Sequence, residues 1–182
     1  MLRKLFWNGV RKIAGWKIEG FDINSIPQAV ITVAPHTSGW DVIVGLFTRG
    51  SQGSDIRFLG KHTLFKPPHG FIFKWLGGMP VDRTKSTHLV DTVANYFRVH
   101  KELKIAIAPE GTRKKVDSLK SGFYYMAKKA NVPIVMAKFD YEHKTMTYSE
   151  PFMPGDDVDA VLKKVWDYYK GVKGYVPEYS IE

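Results

Sequence analysis

His36 and Asp41 stand five positions apart in the run HTSGWD, directly after the apolar stretch AVITVA at 29–34. A histidine takes a proton from a hydroxyl near neutral pH, and a carboxylate on its other ring nitrogen sets the tautomer and stabilises the imidazolium that forms. The pair therefore has the composition of a general base and its orienting acid. On one continuous helix, residues five apart point roughly 140° away from each other. They converge only if His36 lies in the loop leaving a strand and Asp41 in the first turn of the next helix, and Pro35 and Gly39 supply the chain break.

A second cluster, PEGTR at 109–113, follows another apolar run. Glu110 brings a carboxylate, Gly111 a backbone free to turn sharply, Thr112 a hydroxyl, and Arg113 a guanidinium that can hold a phosphate through two parallel hydrogen bonds. Together they outline an anion site. Arg83 closes the apolar segment GGMPVDR, and Lys61 and His62 follow the run RFLGK, as further anion ligands. G-x-S-x-G, G-x-x-x-x-G-K-[ST] and G-x-G-x-x-G patterns are all missing, which removes the main support for serine hydrolase, P-loop and dinucleotide-binding readings.

Those residues need elements to position them. Apolar runs at 29–34, 57–61, 104–108 and 133–141 read as strands, and the segments at about 40–49, 86–100, 121–132 and 156–170 as helices, with Ser121 placed to cap the third. Strands alternating with helices predict a single α/β domain over 1–182, with a mostly parallel or mixed central sheet flanked by helices. In such sheets ligands sit at the carboxyl ends of strands, where His36 and Glu110 both fall. Residues 2–16 form a basic amphipathic helix with Leu2, Leu5, Phe6, Val10, Ile13 and Trp16 on one stripe; it either packs on the domain or lies in a lipid headgroup region. The stretch from His62 to Arg83 is rich in aromatic residues and broken by Pro67, Pro68, Gly70, Gly77 and Gly78, which suits an irregular helix-and-loop surface facing something apolar.

The 182 residues are enough for one ordinary core. No cysteine is present, so disulfides, thiolate metal sites and a cysteine nucleophile are excluded. Against 18 acidic residues stand 27 basic ones, a net charge of +9, which predicts an anionic partner. The sequence shows neither a signal peptide nor a run of roughly 20 apolar residues, so a soluble or surface-bound cytoplasmic protein is expected.

Four blocks in order, P-H-T-S-G-W-D, then G-K-H-T-L-F with P-P-H-G and G-G-M-P-V-D-R, then A-P-E-G-T-R, then V-P-I-V, resemble the glycerolipid acyltransferases that act on glycerol phosphate and lysophosphatidic acid. The motif-bearing part spans about 29–141. The resemblance implies His36 as the base that deprotonates an acceptor hydroxyl, with Asp41 its partner, the hydroxyl then attacking the thioester of acyl-CoA or acyl carrier protein. Arg83, Glu110, Gly111, Thr112 and Arg113 match the acceptor-binding blocks and Lys61 the lysine leading the second. Val132 to Val135 match the fourth block, a strand lining the acyl groove or core. The expected partners are a lysophospholipid or glycerol-phosphate acceptor, an acyl thioester and, peripherally, the cytoplasmic face of an anionic membrane. No bound cofactor or metal and no nucleic acid are expected. Pro35 stands where that family often has asparagine, and Lys114 where serine is frequent. The chain is also short for the family and lacks the apolar N-terminal hairpin or span of many members, so membrane contact falls to residues 2–16 and 65–79. Two alternatives stay open on the residues alone: a non-catalytic basic module for membrane or nucleic acid, and a metal hydrolase built on His36, Asp41, His62 and His69.

Overall fold

The runs AVITVA and IVMAKF lack polar alternation, as strands covered on both faces should. They become neighbours at the centre of a single sheet. The computed structural model describes residues 2–68, 70–81 and 86–182, with residues 86–88 as backbone only. Strands β1 (Lys17–Gly20), β2 (Gln28–Ala34), β3 (Ile56–Lys61), β4 (Gly78–Val81), β5 (Leu103–Ile107), β6 (Ile134–Asp140) and β7 (Thr145–Tyr148) lie in the order β1-β7-β6-β2-β5-β3-β4. From β6 through β4 neighbouring strands are parallel, while β7 runs antiparallel to β6 and carries β1 parallel to itself. The architecture is the α/β sheet, mostly parallel and mixed at one side, that the strand–helix alternation predicts.

Six helices are seen among the described residues: α1 (Leu2–Ile13), α2 (Trp40–Gln52), α3 (Gly70–Trp75), α4 (Ser86–Val99), α5 (Gly122–Ala130) and α6 (Val158–Tyr169). Alternate residues of β2 feed two cores. Val30 and Ala34 pack with Phe97 of α4, Phe123 and Met126 of α5 and Val165 of α6. Ala29 and Ile31 pack with Val44 and Phe47 of α2. Burial of the central strands on both faces holds the carboxyl ends of β2, β5 and β6 at one edge, where their loops meet.

Several sequence expectations are revised. The N-terminal helix stops at Ile13, and Trp16, expected on its apolar stripe, lies beyond it and turns inward to meet Phe47, Phe139 and Tyr141 edge-on. α1 docks on α2 through Trp7, whose indole lies so close to Gly50 that a Cβ there would sit 2.5 Å from the ring. Leu2 (85% exposed), Leu5, Phe6 and Ile13 (90%) remain outside. The helix therefore packs on the domain by one face and presents an apolar stripe on the other. Strands β1, β4 and β7 were not foreseen. Each has four residues, too few to show alternation, and β4 (GMPV) sits inside the stretch read as helix and loop. Its proline is tolerated because β4 is an edge strand. Ser121 precedes α5 but already has a helical backbone and makes no side-chain cap bond. Asp157 does cap a helix, its carboxylate accepting from the Ala160 N–H of α6.

Candidate active site

β2 ends at Ala34 and α2 begins at Trp40, so His36 lies in the intervening loop and Asp41 in the first helical turn. That is the arrangement the five-residue spacing needs. His36 Nδ1 is 2.8 Å from Asp41 Oδ2. The same oxygen accepts the backbone N–H groups of Thr37 (2.9 Å) and Ser38 (3.0 Å), and Oδ1 accepts the Tyr141 hydroxyl at 2.7 Å. The Asp41 side chain is only 2% exposed, so these four donors replace water around its charge. The negative end also lies in the first turn of α2, where exposed backbone N–H groups favour it. With Nδ1–H committed to the carboxylate, Nε2 is left as the acceptor, on a ring that is 22% exposed.

Strand β5 runs beside β2, and the loop after it brings Glu110 beneath the His36 loop. Both Glu110 oxygens accept the His36 backbone N–H, at 2.9 and 3.1 Å. The residue is 2% exposed, and burial pushes its carboxyl up to about 7 against the opposing effect of that N–H. Glu110 was expected among the acceptor ligands. In the structure it lies behind the His36 loop, with both oxygens on the His36 backbone N–H.

Beyond Glu110 the chain turns outward. Gly111 has φ +68°, a conformation that favours glycine, and Gly111, Thr112 and Arg113 are all exposed. The Thr112 hydroxyl accepts from the Lys114 N–H. Arg113 reaches the His36 loop: its Nη1 lies 3.9 Å from where a Cβ on Gly39 would be. The guanidinium and the imidazole thus flank one short stretch of chain. Lys61 is exposed at the carboxyl end of β3, two strands from β2. Arg83 lies outside the described residues, as does His69 of the metal-hydrolase alternative. His62 is exposed, and His36 Nδ1 is engaged with Asp41. Among the described residues, the group of acidic and histidine side chains close enough to share a cation is Asp140, Glu142 and His143, at the end of β6 and in the turn that follows, and it includes none of the residues proposed for that alternative.

Sequence reading missed Tyr141 and the chain after α6. The Tyr141 N–H donates to the Lys173 carbonyl, and the Val176 N–H to the buried Thr37 hydroxyl at 3.0 Å. Gly174 passes so close to Thr37 that a Cβ there would lie 2.7 Å from its methyl carbon. A C-terminal strap therefore presses on the His36 loop. Position was the one available signal: Tyr141 directly follows a strand whose carboxyl end lies beside that of β2.

The family model described as Acyltransferase matches residues 18–138. Among solved structures, the chain is similar to the 1-acyl-sn-glycerophosphate (LPA) acyltransferase PlsC from Thermotoga maritima, with a TM-score of 0.62 and 18% identity over 91% of this chain and 74% of that one. At that identity the likeness speaks to the fold. Comparison with curated protein sequences gave no match.

Proposed function

The chain belongs to the acyltransferase family, and from that premise we propose that it transfers a fatty acyl group from acyl-CoA or acyl carrier protein to the free hydroxyl of a lysophospholipid, 1-acyl-sn-glycerol 3-phosphate being the first candidate. The observation that carries the reading is the 2.8 Å contact between His36 and the enclosed Asp41, which leaves the other nitrogen of a partly exposed ring free to accept, while Arg113 approaches Gly39 of the same loop. That acceptor is also the one after which the Thermotoga maritima acyltransferase is named.

In this mechanism His36 Nε2 takes the hydroxyl proton as the oxygen attacks the thioester carbonyl. A C–O bond forms, the tetrahedral carbon collapses with loss of the C–S bond, and the proton held by His36 passes to the departing sulfur. No acyl-enzyme forms. Asp41 holds the ring and stabilises the transient imidazolium. Arg113 anchors the acceptor phosphate, with Lys61 and Arg83 as further cations, and Glu110 acts from behind by fixing the His36 backbone.

The acceptor and product are amphiphiles, and the molecule offers a surface to meet them. α2 lies between α1 and the turn after α3: Trp7 rests on Gly50, and Arg49 reaches Gly77. Exposed apolar side chains line all three helices: Leu2, Leu5, Phe6 and Ile13; Trp40 and Ile43; Phe71, Ile72 and Trp75. No helix of the described residues is long and apolar enough to cross a membrane. We therefore assign these helices to peripheral contact with an anionic bilayer, with Arg3, Lys4 and Lys12 supplying charge beside the apolar stripe.

The deciding experiment incubates purified protein with palmitoyl-CoA, with and without lysophosphatidic acid, and follows free thiol. Acceptor-dependent release that disappears in His36→Ala supports the mechanism. Release unchanged by that substitution would refute it.

A further inference from the structure

We propose that Tyr141 is a positioning residue for proton transfer at His36, acting by clamping the Asp41 oxygen that does not face the imidazole. This rests on the reading of His36 as the base. Three donors, the His36 ring and the Thr37 and Ser38 backbone, converge on Oδ2. A carboxylate held by one oxygen can still swing about its terminal bond, and its alignment with Nδ1–H would swing with it. The Tyr141 hydroxyl, 2.7 Å from Oδ1, is the donor to that oxygen among the described residues. Bonds to both oxygens define the plane of the group.

Tyr141 is itself firmly seated. Its backbone N–H is bound by the Lys173 carbonyl, and its ring meets Trp16 and Tyr175 edge-on at centroid distances of 5.0 and 5.5 Å. Burial, then the bond to Asp41, raises its hydroxyl well above the usual tyrosine value, so it stays a protonated donor wherever the enzyme would work. The charged and titratable groups around the pair are Glu110 under the His36 backbone, Arg113 beside Gly39, and Tyr175 on the C-terminal strap. Among the described residues, none of these three bonds to Oδ1. Residue 141 lies just beyond the 18–138 stretch that the family model matches.

The test is Tyr141→Phe, which removes the hydroxyl and keeps the ring against Trp16 and Tyr175. With palmitoyl-CoA and lysophosphatidic acid, kcat should fall about tenfold while both KM values stay within about twofold, the pattern of an interaction that matters in the transition state. In proton NMR, the low-field His36 Nδ1–H line, assigned by its disappearance in His36→Ala, should shift and broaden in Tyr141→Phe. Unchanged kcat, or a lowered kcat with the line unmoved, would overturn the proposal, the latter leaving Tyr141 a purely structural role. If His36→Ala keeps full thiol release, the base reading falls and takes the clamp with it. If His36→Ala is inactive and Tyr141→Phe behaves as wild type, only the clamp falls.

Discussion

Glu110→Gln isolates the cost of burying a carboxyl group under the His36 loop. The native structure moves that carboxyl from its ordinary 4.5 to about 7, chiefly by burial. A folded value above the unfolded one means that, between about pH 4.5 and 7, the native state binds more protons than the unfolded chain, so stability falls as pH rises through this window. Each pKa unit corresponds to about 1.4 kcal/mol, so the full penalty well above pH 7 is about 3.5 kcal/mol, of which about 2.5 kcal/mol accrues between pH 5 and pH 8. Glutamine keeps an oxygen for the His36 N–H and does not titrate. Urea unfolding followed by tryptophan fluorescence at pH 5 and pH 8 should therefore show the wild type losing about 2 to 3 kcal/mol more than the variant over that interval. His143, raised by its bond to Asp140, also loses stabilisation as pH rises, but it is common to both proteins and cancels in the difference. Equal pH dependence in the two proteins, to within about 0.5 kcal/mol, would refute the buried-carboxyl account.

Asp41→Asn should lower kcat about a thousandfold or more without unfolding the protein, because the amide favours the wrong imidazole tautomer; thiol release with paired circular dichroism checks this. Arg113→Lys should raise KM for a phosphate-bearing acceptor about tenfold and leave that for palmitoyl-CoA nearly unchanged, since a point charge replaces a two-pronged contact; acceptor titrations decide it. Leu5→Glu combined with Phe6→Glu should abolish flotation with phosphatidylglycerol vesicles and leave the melting temperature within a few degrees, as both side chains are exposed. Tyr169→Phe should cost about 1 to 3 kcal/mol in urea unfolding. Its hydroxyl, fully buried, donates to the Thr32 carbonyl and accepts the Ala137 N–H, tying β2 to β6, and phenylalanine would remove both bonds.

Elements whose signal is local were readable from the chain. Long apolar runs specified β2 and β6, and Pro35 and Gly39 marked the loop that lets His36 meet Asp41. Short strands were not readable: KIEG, GMPV and TMTY are strands because a neighbour accepts their hydrogen bonds, which no four-residue pattern reports. Trp16 was misjudged for a related reason. Helical spacing extends the stripe to residue 16, but the helix ends at Ile13, and an aromatic pocket of Phe47, Phe139 and Tyr141 draws the indole inward.

By itself the sequence determined the chemical inventory: a histidine and an aspartate at a spacing that only a strand–loop–helix passage can close, an arginine after a glycine turn, and an apolar helix with basic flanks. Which of these groups touch was decided by tertiary structure. Glu110, three positions before Arg113, turns inward to hold a backbone N–H 74 positions away, while Arg113 turns outward to the loop of His36. Tyr141, 100 positions from Asp41, completes its carboxylate. Hydrogen bonds and burial depend on distance in space, and in a parallel sheet the carboxyl ends of strands far apart in the chain are the points brought nearest one another.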